Sequence, residues 1–235
     1  MALEGDDAQK EIGVQEKIKA LIVQGEFELG ARISEDQLGE RFGIGKARVR
    51  RVLAHLAAIG IVQVRPRIGT FFFKLSEAEF EQLNSVRALL ECAAIRSAMS
   101  LDPHRCVAAM RENVHKAETL DLRDNYRQAY RGLDREFHKL PFHYAGNRYL
   151  TEAYETMDIK IWAMRSLLTF PDSHFSASLD AHRAVVQLLG AGEVESACQR
   201  LQEHIRKSFS QRERALLGDS ADPDPLDFEH RKLRP

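Results

Sequence analysis

The chain has 235 residues, 44% of them hydrophobic, and its 34 Lys and Arg nearly balance 35 Asp and Glu. That length supports one large domain or two smaller ones with real cores, and no run approaches the ~18 apolar residues of a membrane-spanning helix. The first twenty residues lack the apolar stretch and cleavage site of a signal peptide, so a soluble, cytoplasmic protein with no membrane partner is expected.

Charge is spread unevenly. Residues 1–40 hold 4 Lys/Arg against 10 Asp/Glu, residues 41–74 hold 8 against none, and residues 75–235 hold 22 against 25. A segment of 34 residues without an acidic side chain is the electrostatic footprint of a surface that meets phosphate, although a solvated basic face would carry the same charge. The cysteines Cys92, Cys106 and Cys198 are widely spaced and odd in number, which reads as reduced core thiols and not a disulfide framework.

In chain order, residues 1–10 are expected to be disordered and residues 11–74 to form the first unit. Val14, Ile18, Leu21 and Ile22 fall at helical spacing and Gly25 offers a stop. Ser34 and Gln37 form a capping box for a short helix with Leu38 and Phe42 on its apolar face. After a tight GIG link, a third helix runs from Gly45 to Gly60, and two helices so joined make a helix-turn-helix. IVQVRPRIGTFFFK then reads as a hairpin, or wing.

In the third helix Val49, Val52, Leu53 and Leu56 share the side to be buried, while Lys46, Arg48, Arg50 and Arg51 occupy the rest. Ala47 and Ala54 hold the middle of the outward arc, small enough for close approach to a groove floor. Arginine pairs bidentately with guanine, so this helix is read as entering the major groove of double-stranded DNA. Arg65, Arg67 and Gly69 of the wing suit phosphate or minor-groove contact.

From Ser76 the pattern turns helical, opening on the capping box SEAE and continuing to about residue 217. Breaks at Asp102-Pro103, near Leu120 to Asp124, at Gly146-Asn147, at Pro171 and at Gly190 to Gly192 divide it into six helices. Residues 218–235, rich in Asp and Pro, are expected to be a disordered tail. The fold class is mainly α: an N-terminal winged helix-turn-helix and, over 76–217, an all-α helical bundle.

Within the bundle Asp134 and His138 stand four apart, in phase with Tyr130, Leu133 and Phe137. His182 is in phase with Val185, Val186 and Leu189, and His204 with Leu201 and Ile205. Each histidine alone could be a hydrogen-bonded core residue; one shared divalent cation would satisfy all four polar groups at once. Three nitrogens and one oxygen suit a borderline cation such as zinc or nickel, and the carboxylate also accepts manganese. Met157, Trp162, Met164 and Phe170 either line a cavity or are plain core.

The stretch from Ile18 to Phe73 resembles the winged helix-turn-helix of the GntR family of bacterial transcription regulators, through Ile18, Leu21, Ile22, Gly25, Gly30, Ile33, Glu35, Leu38, Gly43, Val49, Arg50, Leu53, Gly60 and Gly69. It departs from that pattern at Gly45, Lys46, Arg48 and Arg51, which affects the operator sequence and not DNA binding itself. Residues 76–217 resemble the short, six-helix FCD domain of the FadR subfamily through Asp134, Phe137, His138, Gly146, Asn147, Leu150, His182, Leu189, His204 and Ile205. Pro141 departs from it and is expected to kink the helix just past His138.

The resemblance implies a homodimer on a palindromic operator, more often a repressor than an activator. It also implies a metal, usually zinc or nickel, at Asp134, His138, His182 and His204. Arg87, matching the family's R-x-x-L-E, is the candidate effector anchor for a small carboxylate metabolite, or else a surface ion pair with Glu91. Two alternatives remain open: a metal-dependent hydrolase, for which the sequence offers no clear general base, and a regulator whose metal is purely structural.

Overall fold

The computed structural model describes residues 2–121, 126–166 and 172–207. In it the stripe Val14, Ile18 and Ile22 is buried on one face of α1 (Ala2–Gln24). Gly25 ends that helix at φ 80°, a conformation that suits a residue without a Cβ. The helix starts at Ala2, within the first ten residues. Alanine, leucine, glutamine, lysine and glutamate there are good helix formers, and Glu11 is tied to the third helix.

α2 (Glu35–Phe42) starts at Ser34, whose hydroxyl accepts from the Gln37 amide at 3.3 Å, one half of the expected box. α3 (Lys46–Ala58) follows from Gly45 and buries Val49, Val52, Leu53 and Leu56, as its 3.6-residue period requires. β1 (Val62–Arg65) and β2 (Gly69–Phe72) pair antiparallel, Val62 opposite Phe72 and Arg65 opposite Gly69, and form the wing. Arg32 bridges to Phe71 and covers the other edge of β2.

α4 (Glu77–Leu101) opens on a complete capping box between Ser76 and Glu79. α5 (Pro103–Glu118) has Asp102 as its cap and Pro103 at its first position, where the missing N–H costs nothing. α6 (Tyr126–Tyr144), α7 (Arg148–Ser166), α8 (Asp172–Gly190) and α9 (Val194–Lys207) complete six helices among the described residues. Pro141 does not end α6, which continues to Tyr144. The expected break at Pro171, the side chain of Phe170, the end of the helical unit from residue 208 and the tail 218–235 lie outside the described residues.

Two cores hold this together. One joins the apolar faces of α1, α2, α3 and the wing to Phe80, Tyr130, Ile159, Ala163, Met164 and Phe175 of the helical part, with α1 lying along α7. The other fills the helical part with Ile95, Met110, Phe137, Val185, Leu189, Leu201 and Ile205. Cys92, Cys106 and Cys198 are free and buried, as expected. Among the described residues no helix is long and apolar enough to cross a membrane.

Candidate metal centre and nucleic-acid interface

Helical phase brings Asp134 and His138 to the inner face of α6, one turn apart, and α8 and α9 present His182 and His204 to the same point. One donor atom from each of the four lies within 4.8 Å of the others, and all four side chains are buried. His182 Nε2 is 3.2 Å from His204 Nε2 and 3.4 Å from Asp134 Oδ1, while His138 Nε2 is 3.9 Å from Asp134 Oδ1. Ligand atoms around a tetrahedral zinc, each at about 2.0–2.1 Å, stand roughly 3.3 Å from one another. Two of these separations match that spacing, and the remaining donor pairs, all within 4.8 Å, draw closer when an ion is held between them.

The surroundings prepare these donors. Glu91 Oε2 lies 2.7 Å from His138 Nδ1, so that nitrogen donates its proton and Nε2 turns a lone pair to the cluster. Glu91 in turn accepts from Arg87 Nε at 2.6 Å and from the Tyr154 hydroxyl at 3.3 Å. Asp134 Oδ2 accepts from Arg165 at 2.9 Å and Oδ1 from the Ser178 hydroxyl at 3.2 Å. The His182 ring stacks on Phe137, with centroids 3.8 Å apart.

Burial pushes all three imidazoles well below their ordinary pKa, and cationic neighbours including Arg165 push the same way. They are therefore neutral near pH 7. Burial alone would raise the Asp134 carboxyl, but the charges facing it, Arg165 first, outweigh it and hold the group below its ordinary value. Three neutral nitrogens beside one carboxylate are the protonation states that a divalent cation requires, so the residues fit such an ion.

Arg87 is not at the surface. It is 1% exposed and forms a buried ion pair with Glu91, in place of the surface pair that was the alternative to its effector role. Its Nη2 meets no hydrogen-bond acceptor among the described residues, and neither does Trp162 Nε1. The guanidinium of Arg87 stands 5.6 Å from the Trp162 ring centroid and that of Arg165 5.0 Å. Trp162 therefore belongs to the cluster's surroundings, whereas Met164 is core packed towards α1, and Met157 is half-buried.

α7 touches both halves of the molecule. Through Arg165 it holds the carboxylate of Asp134; through Ile159, Ala163 and Met164 it packs into the core shared with α1 and α3. At the end of α3, a Cβ on Gly60 would come 2.7 Å from Lys160 Nζ, and one on Gly25 would come 3.2 Å from Ser166 Oγ.

On the basic face, Lys46, Ala47 and Arg50 of α3 are exposed, Lys46 paired with Asp36 at 2.8 Å and Arg50 with Glu35 at 2.9 Å. Arg48 and Arg51 turn towards Glu11 of α1. Arg48 is largely covered, whereas Arg51 stays exposed. On the wing, Arg67 is exposed at the tip with a left-handed φ of 64°, but Arg65 folds back over the Phe71 ring at 5.0 Å. Gly69 lies against Arg32, whose Nε would be 2.8 Å from a Cβ there, so Arg32 adds an exposed cation beside the wing.

Sequence reasoning missed Arg32, Glu11, Tyr154, Arg165 and Ser178, and read Glu91 only as a partner of Arg87. These residues come from other elements than the groups they serve, so no local spacing announced them. The one available signal was the buried phase of Glu91 on α4.

A family model described as "FCD domain" matches residues 82–207, and one described as "Bacterial regulatory proteins, gntR family" matches residues 12–72. The chain is 25% identical over 192 residues to the "Probable D-xylose utilization operon transcriptional repressor" of Paenarthrobacter nicotinovorans, covering 82% of this chain and 84% of that one. It is 24% identical over 178 residues to the "HTH-type transcriptional repressor RspR" of Escherichia coli (strain K12), covering 74% and 78%. Among solved structures, E. coli McbR/YncC superposes with a TM-score of 0.73 at 18% identity, over 84% of this chain and 94% of the other, a likeness of fold.

Proposed function

The chain belongs to the GntR family of bacterial regulatory proteins and carries an FCD domain, which makes it a DNA-binding transcription regulator and not an enzyme; on that premise we propose that a small carboxylate metabolite, bound beside a divalent ion in the helical domain, sets its affinity for an operator. The observation that carries this reading is the convergence of three buried neutral imidazoles and one carboxylate within 4.8 Å. In the proposal Asp134, His138, His182 and His204 hold the ion, zinc or nickel by their donor set. When bound, such an ion supplies a Lewis-acidic position for an anionic oxygen.

The carboxylate half of the reading rests on two buried donors. Arg87 Nη2 and Trp162 Nε1 meet no acceptor among the described residues, and a buried donor left so costs about 1–3 kcal/mol. A carboxylate, which only accepts, is the kind of group that such donors call for. Arg87 then serves as effector anchor while its Nε keeps Glu91 in place. Arg165 joins this site to α7, and α7 to the core that holds α1 and α3, so an acid that displaces Arg165 acts on the position of the head. It does so only by binding one head arrangement better than the other.

Domain extents of 11–74 for the DNA-binding head, with α1 reaching further towards the N-terminus, and 76–217 for the helical unit belong to the same reading. In the head, Lys46, Ala47 and Arg50 face the major groove, with Arg67 and Gly69 of the wing against the backbone. A homodimer is supported by Val86 and Leu89, two exposed apolar side chains one turn apart on α4. Two-fold symmetry then calls for a palindromic operator with half-sites about one helical turn apart. Repression is the proposed outcome, since two relatives are named as repressors.

Elemental analysis combined with native mass spectrometry of the full chain tests the site. One divalent ion per chain is expected in the wild type and none in His138→Ala/His204→Ala. Full occupancy in that double variant would show that other residues bind the ion.

A further inference from the structure

Each cation of α3 has an acidic partner, but the partners differ in kind. Lys46 meets Asp36, both well exposed, and the exposed Arg50 meets a half-buried Glu35, surface pairs that a phosphate displaces at little cost. Glu11 is only 16% exposed and takes two cations at once. Its Oε1 accepts from Arg51 Nε at 2.9 Å and from Arg51 Nη2 at 2.5 Å, and it lies 3.6 Å from Arg48 Nε. Arg48 keeps 22% exposure, against 57% for Arg51 and 69% for Arg50.

We propose that Glu11 is an internal competitor for DNA phosphate, which holds Arg48 and Arg51 against α1 and thereby decides how much of the binding is blind to sequence. The head offers Lys46, Ala47 and Arg50 to the groove floor and withholds two cations from the backbone. Phosphate contacts add affinity on any duplex and carry no sequence information, so withholding two of them favours discrimination over strength. The hydrogen bond from Arg51, with the charges of both arginines, holds the Glu11 carboxyl below its ordinary pKa, so the acid stays ionised at neutral pH. The inference concerns the head alone and does not depend on the metal or the effector.

The test is a salt titration of affinity for a random-sequence duplex and for a duplex selected by the wild-type protein. In Glu11→Gln the slope of log affinity against log salt on the random duplex steepens by about 0.9 for each phosphate gained, up to two. The ratio of selected to random affinity falls. Arg51→Gln with Glu11 intact leaves the slope unchanged, because that guanidinium is already engaged. An unaltered slope in Glu11→Gln at wild-type helicity, weaker binding in that variant, or a slope lost in Arg51→Gln each overturns the proposal. The Arg51→Gln arm decides the matter even if Glu11→Gln loosens α1.

Discussion

Glu91 and His138 stand 47 residues apart in the chain, yet the Glu91 carboxylate lies 2.7 Å from His138 Nδ1, both groups buried. The carboxylate fixes the tautomer and raises the basicity of Nε2, the nitrogen turned to the cluster. Its own burial keeps its pKa above the ordinary value, against the opposing charge and hydrogen bond of Arg87 and the hydrogen bond of Tyr154.

Glu91→Gln is therefore expected to weaken metal binding about 10- to 100-fold with all four proposed ligands intact. Competition with a chromogenic chelator measures this. Unchanged affinity would mean that Glu91 serves Arg87 alone.

Arg165→Met takes from the buried Asp134 its hydrogen-bonded guanidinium and leaves it beside the Ser178 hydroxyl and the imidazoles of His182 and His138. Breaking a buried pair costs about 3–5 kcal/mol, and that loss is expected in the metal-free protein. With zinc or nickel added the loss should shrink, because the cation's charge replaces the guanidinium's. Urea melts of variant and wild type, stripped and loaded, give both figures; an equal loss in the two states would place Asp134 outside the metal site.

Acid should destabilise the stripped protein early. The three imidazoles have folded pKa values well below the ordinary 6.5, so the unfolded chain takes up protons first as pH falls. Stability is complete above about pH 6.5 and declines below it, by at most about 4 kcal/mol per pH unit while all three differ. Melts of chelator-treated protein between pH 5 and 8 check the sign. A curve that is flat over that range contradicts neutral buried histidines.

At the other end of the molecule, Arg50→Ala should weaken specific operator binding while the fold persists. Loss of one bidentate base contact is worth about 1–3 kcal/mol, or roughly 5- to 150-fold. Operator affinity equal to wild type would refute the assigned groove contact.

What could be read from the chain itself was whatever a helix repeats. The buried side of α3 followed from Val49, Val52, Leu53 and Leu56, and the phases of Asp134, His138, His182 and His204 sent all four inward, where they meet. Helix starts at Ser34 and Ser76 were legible because capping is local chemistry. Partners from other elements were not: Arg165 and Ser178 on Asp134, or Glu11 on Arg51, depend on how helices pack. Arg48 shows the limit most clearly. Its position on the helix allowed exposure, and a residue 37 places earlier in the chain drew it aside.

The most direct test of the central claim is operator affinity, read by fluorescence anisotropy on a duplex selected by the wild-type protein, with a panel of small hydroxy- and keto-acids added to metal-loaded protein. At least one acid should shift affinity about fivefold or more, the lower end of ordinary allosteric coupling, and should lose that effect in His138→Ala/His204→Ala. If no acid alters affinity while chelation merely lowers the melting temperature, the ion is a structural staple and the account of regulation is wrong.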